Sequence, residues 1–174
     1  VGAHATSTRL TAWQRYLGSV PGCDEGWGLY AESLADELGL MPTPEDRFGR
    51  LAARRWRLAR VLVDLGVHSR LPVPDDVAAL PGASREWNRA TVTAVLRHHT
   101  VISEGRLRFE VSRHLGWPAQ PLAYAVGERV WQAGRHSAQA QARAEGGELD
   151  LRAFHNRGID LGSVGLDLLA SALH

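Results

Sequence analysis

The sequence predicts an all-α, multi-helix protein, on three observations. Apolar residues recur at spacings of three and four along most of the chain. The β-branched alternation that strands require is nearly absent; Arg108 to Val111 is the one candidate, and it is too short to carry a sheet. Glycine and proline clusters punctuate the periodic segments. The chain's 174 residues suffice for one helical domain with a sizeable core.

Residues 5–17 read as a first helix, with Leu10, Trp13 and Leu17 on one face. Pro21 and Gly22 are expected to break it, and Asp24 to cap a second helix running to about Leu38. Trp27, Tyr30, Leu34 and Leu38 form that helix's apolar face. Gly39, Pro42 and Pro44 turn the chain. A third helix runs from about Glu45 to Leu65, with Phe48, Leu51, Leu58, Leu62 and Leu65 as its core stripe and Gly66 as its stop. Residues 70–84 read as a loop holding one short helix, Asp75 to Leu80. Further helices are expected at Ser84–His98, Ser103–Leu115 and Ala119–Ala144, the last started by Trp117 and Pro118 and closed by Gly146 and Gly147. Short helices at 149–156 and 163–173 finish the chain.

Composition excludes several function classes. Lys+Arg 20 against Asp+Glu 19 leaves a formal charge of +1, so no global field draws the chain to nucleic acid or an acidic membrane. Cys23 is the only cysteine, which rules out an internal disulfide and a cysteine metal cluster. No apolar stretch is long enough to span a bilayer, and residues 1–11 lack a signal-peptide pattern. A cytoplasmic location is the resulting expectation. Glycine-rich phosphate loops, nucleophile elbows and HExxH-type zinc motifs are absent from the sequence.

Two strings could carry chemistry. In residues 24–32, DEGWGLYAE, Glu25 and Glu32 lie seven apart on one helix face, with Glu25 in the expected first turn. They read either as surface acids or as a metal-ligand carboxylate with an acid behind it. Along the third helix Arg57, Asp64 and His68 point roughly the same way. They read as a buried Arg–Asp pair orienting a histidine, or as a surface network at a helix end. Tyr124, in the first turns of the long helix, could be a core residue or a hydrogen-bond donor to a reacting oxygen. His155 reads as a cap or packing residue. A Cys23 thiolate ligand beside Asp24 and Glu25 is conceivable; inert packing is the commoner fate of a lone cysteine.

The string Glu25-Gly26-Trp27-Gly28-Leu29-Tyr30-Ala31-Glu32 resembles the EGWALYAE helix of the bacterial family labelled domain of unknown function 885. Further matches follow in order: Arg57, Arg60, Asp64, Gly66 and His68; then Arg113, Pro118, Gln120, Tyr124 and Gly127; then Phe154, His155, Gly162 and Leu166. The resemblance implies the C-terminal half of a gluzincin-like helical zinc metallopeptidase. Glu25 would then be the third zinc ligand, and Glu32 would stand behind it or be structural. Tyr124 and His68 would steady the oxyanion, while Arg113 and Arg57 would hold a peptide carboxylate or brace the site. His155 would belong to the same wall. The upstream two-histidine motif is not in the chain, and His4 is the only histidine before Glu25. Other positions depart from the family pattern: His114, Ala119, Pro121, Ala125 and Gly165 replace tyrosine, glycine, alanine, lysine and proline.

The chain is therefore expected to be a fragment or truncated homologue of a larger catalytic domain, covering its C-terminal part only. On that reading it holds no zinc by itself and hydrolyses peptides or small amides only when completed by an N-terminal segment. The alternative is a non-catalytic helical binding or partner domain. A second copy of the chain is the other candidate cover for an open groove beside Glu25 and Trp27.

Overall fold

The computed structural model describes Thr8 and residues 10–174. His4 and the start of the helix expected at 5–17 lie outside the described residues. Among the described residues the chain forms nine helices and no strand. They are α1 Ala12–Tyr16, α2 Pro21–Glu37, α3 Pro44–His68, α4 Asp75–Ala78, α5 Arg89–His99, α6 Glu104–Gly116, α7 Leu122–Ala144, α8 Leu151–Ile159 and α9 Leu166–Leu173. The candidate strand Arg108–Val111 lies inside α6.

Local chemistry explains the helix starts. Thr43 and Asp46 form a reciprocal capping box around Pro44 at the first helical position of α3. Asn88, Ser103 and Asp150 each accept an amide N–H of the first turn of α5, α6 and α8. Pro21 and Gly22 open α2 instead of breaking the chain, so the helix begins before Asp24. Proline fits the first turn, and the Val20 carbonyl accepts the N–H groups of Cys23 and Asp24 at 2.9 and 3.1 Å. Glu25 consequently sits just past the first turn.

The chain divides into two compact units: Val1–Leu34 with Ala123–His174, and Ala35–Leu122. The first has a core of Cys23, Tyr30, Trp131, Phe154, Leu169 and Leu173. In it α2 and α7 cross at backbone contact. A Cβ on Gly26 would run into the Gly127 backbone, and one on Gly127 into the Gly22 carbonyl.

The second unit packs α3, α5 and α6 around Ala59, Val63, Val92, Val95, Leu96, Leu107 and Val111. Here the expected core stripe of α3 is overturned except at Leu62, which packs against this core. Phe48 is 74% exposed and Leu51 54%, with Leu58 and Leu65 also exposed. The buried face is the one bearing Ala59, Arg60, Val63, Asp64 and Gly66. Its short side chains let neighbouring helices approach, and its two charged residues find partners on later segments. Gly66 does not stop α3. It lies inside the helix because the Trp87 ring occupies the space of any Cβ there.

Candidate functional site

Each unit contains a cluster of polar side chains that includes expected site residues. In the second unit, α3 presents Arg60, Asp64 and His68 at four-residue intervals, hence on one face. Helix α6 contributes Glu110, Arg113 and His114, and the segment after it contributes Ala119 and Gln120. Arg60 Nε donates to His114 Nε2 at 3.2 Å. One NH2 group each from Arg60 and Arg113 donates to Gln120 Oε1, at 3.3 and 3.1 Å. Arg106 pairs with Glu110 Oε1 at 2.7 Å, and Arg113 approaches Glu110 Oε2 at 3.6 Å. The Arg113 guanidinium also lies over the Trp117 ring, 5.5 Å from its centroid. Burying charge is costly unless it is paired and hydrogen-bonded, and here most of the groups are.

Two details bear on protonation. As the acceptor of the Arg60 bond, neutral His114 carries its proton on Nδ1, which is buried without a partner, while Glu110 Oε2 stands 3.4 Å from the same Nε2. Burial and the Arg60 charge push His114 down to about 4, against the pull of Glu110. His68 Nε2 lies 2.8 Å from the His114 carbonyl, which can only accept, so Nε2 is the protonated nitrogen. Asp64 stands 4.0 Å from the same nitrogen.

Both Asp64 oxygens accept the Ala119 N–H at 3.0 Å. Ala119 has φ +68°, a left-handed conformation that costs a residue with a Cβ about 1–2 kcal/mol. The Asp64 contact holds it there. This is also the position at which the family pattern has glycine, so the departure is tolerated at the price of strain.

The first unit holds Glu25, Glu32, Tyr124 and His155, all half-buried. Tyr30, buried among Trp27, Trp131 and Phe154, lies 2.8 Å through its hydroxyl from His155 Nε2. Arg135 donates to the same hydroxyl at 3.5 Å. His155 is thus bonded to a tyrosine rather than acting as a cap.

The expected residues accordingly fall in both units. Asp64 and His68 come together, but the buried arginine of that face is Arg60, while Arg57 is half-buried. Arg113 joins them through Gln120 and the His114 neighbourhood. Sequence reasoning missed Glu110, His114 and Gln120 as network members and Tyr30 as the partner of His155. Their signal was the three-and-four spacing of Glu110, Arg113 and His114, which is as common on solvated helix faces.

Zinc requires at least three correctly placed protein ligands. Among the described residues no group of three or more His, Cys, Asp or Glu side chains could hold a metal ion. Cys23 is buried, burial pushes its thiol up, and its sulfur faces the Gly162 carbonyl at 3.8 Å. It packs as a neutral thiol.

A family model described as "Bacterial protein of unknown function (DUF885)" matches residues 2–173. This corrects the expectation of a match through a C-terminal part only, since the family model covers nearly the whole chain. A crystal structure described as the "putative lipoprotein from Colwellia psychrerythraea" is similar at 28% identity and a TM-score of 0.75. The similarity covers 92% of this chain and 24% of that one, so the chain spans about a quarter of the length of the structure it matches. No curated protein matches the sequence. No helix among the described residues is long and apolar enough to cross a membrane.

Proposed function

The chain belongs to the bacterial DUF885 family, and from that premise we propose a peptidase-like protein in which the described residues bind and position a peptide or small amide. They do not themselves assemble the metal centre of a gluzincin-like enzyme. One observation carries this reading: Arg113 is 23% exposed yet held on three sides, by Gln120, Glu110 and the Trp117 ring. A guanidinium pre-set in that way loses little freedom on meeting a planar carboxylate, such as a peptide terminus. His68, fixed through the His114 carbonyl, offers a second polar group on the same cluster. In the first unit, taken by itself, Glu25 is proposed as one carboxylate toward a metal that other ligands must complete, with Glu32 supporting it and Tyr124 and His155 as wall residues. In the second unit Arg57 is proposed to brace Arg113.

The alternative is a helical binding domain with no hydrolytic role. The lack of a metal-holding group among the described residues favours it. Titrating the 174-residue chain with a short peptide, followed by NMR, tests the first reading, with zinc content and peptide hydrolysis measured on the same sample. The expected result is saturable binding weakened about tenfold or more in Arg113→Gln, with no stoichiometric zinc and no hydrolysis. Zinc retention with hydrolysis would place a working centre in this chain and overturn the reading. Absence of any peptide binding would leave the partner-domain alternative.

A further inference from the structure

The exposed face of α3 repeats at 3-4-3-4-3 spacing: Phe48, Leu51, Arg55, Leu58, Leu62 and Leu65. That is the a/d pattern of a helix seam, yet Phe48, Leu51, Leu58 and Leu65 are exposed, while Leu62 is half-buried against the core of the unit. Beside it, α3 and the end of α5 enclose a groove of about 660 Å³, floored by Phe48, Leu51, Trp56 and Val101. A second groove, of about 400 Å³, shares Leu51, Arg55 and His99 and continues along α3 to Leu62. From Phe48 to Leu62 the trough is about 21 Å long, some four helical turns.

Its charged groups are cationic, with Arg54 and Arg55 from α3 and Arg97 from α5. Arg55 Nε donates to His99 Nδ1 at 3.1 Å, so the neutral His99 ring carries its proton on Nε2. Arg97 and His98 line the same wall, and among the described residues no carboxylate lines either groove. Glu104, outside the lining, is the partner of Arg97.

We propose that this trough docks an amphipathic helix of a partner protein, with its apolar stripe against α3 and acidic residues along the flank facing Arg55 and His99. The seam spacing selects a helix, and the cationic, carboxylate-free lining selects acidic flanks. A second copy of the chain fits poorly, because pairing through this face would set two acid-free, arginine-bearing grooves against each other. A bilayer fits poorly because the surface is concave. The residues differ from those that carry the peptide reading, so each proposal can fail alone.

The test is fluorescence anisotropy of the 174-residue chain with a labelled designed helix of about three heptads, Leu at a and d and Glu at the flanks. A control peptide carries Lys in place of Glu. The Glu peptide is expected to bind at least about tenfold tighter than the Lys peptide. Leu51→Glu should abolish that binding and Arg55→Glu should invert the preference. Both side chains are exposed, and circular dichroism checks that each variant folds. Equal binding of the two peptides, or an unchanged affinity in Leu51→Glu, would overturn the proposal. So would binding to phosphatidylglycerol vesicles without peptide binding, or a dimer in sedimentation that Leu51→Glu dissociates.

Discussion

The two units solve the same packing problem with different chemistry. Val1–Leu34 with Ala123–His174 is built on aromatic rings and glycine-mediated backbone contact: Trp131 stacks on Tyr30 at 5.6 Å and meets Phe154 edge-on at 6.0 Å. Ala35–Leu122 is built on valines, alanine and leucines and buries a charged network that includes Glu110, 0% exposed, and His114, 1% exposed. The first arrangement is intolerant of added volume. The second is intolerant of a changed protonation state. The crossing at Gly127 is therefore the place to perturb sterically and His114 the place to perturb electrostatically.

The largest effect is expected from Gly127→Val. Its new side chain meets the Gly22 carbonyl and the Gly26 Cα, so α2 and α7 must part. The expected loss is about 3 kcal/mol or more in denaturant unfolding. A loss below about 1 kcal/mol would show that the crossing is not a tight backbone contact.

Acid should act through the other unit. His114 is held at about 4 against an ordinary 6.5, with Arg60 and Arg113 opposing its protonation and Glu110 favouring it. The unfolded chain takes up the proton first, so this contribution to stability is complete above pH about 6.5 and is lost as pH falls towards about 4. Unfolding free energies across that range should drop by up to about 3 kcal/mol from this group. His114→Gln should flatten that slope, and an unchanged slope would assign the acid sensitivity elsewhere.

A smaller change, of opposite sign, is expected at the edge of the same network. Ala119→Gly removes the strain of φ +68° and should raise stability by up to about 1 kcal/mol, the gain being reduced by the greater freedom of glycine in the unfolded chain. Melting curves of the pair decide it. The smallest effect is expected at Phe48→Ser. At 74% exposure the ring contributes little, and the change should stay within about 0.5 kcal/mol. A loss of 2 kcal/mol or so would return Phe48 to a core.

These outcomes bear on how much the sequence discloses. The helical class and most helix positions follow from caps and punctuation, because Thr43, Ser103 and Asp150 act on their own neighbours; α5, expected from Ser84, starts only after its Asn88 cap. Which face of α3 is buried does not follow. Periodicity marks the leucine row as core, whereas the buried row carries Arg60 and Asp64, whose partners sit some fifty to sixty residues later. The same distance hid the site. Asp64 and His68 were legible as a pair on one helix, but the Arg60–His114–Gln120 connection depends on tertiary placement that no local spacing encodes. Tyr30 and His155 are 125 positions apart, and each alone looks like packing.

The contact at residue 119 has one more consequence. Asp64 grips a main-chain N–H there, so the side chain at 119 takes no part in the bond. What that position must supply is an amide proton and a left-handed turn, which glycine gives freely and alanine under strain; proline can give neither. A motif written in side-chain letters scores the glycine-to-alanine exchange as a mismatch, although either residue can supply that amide proton.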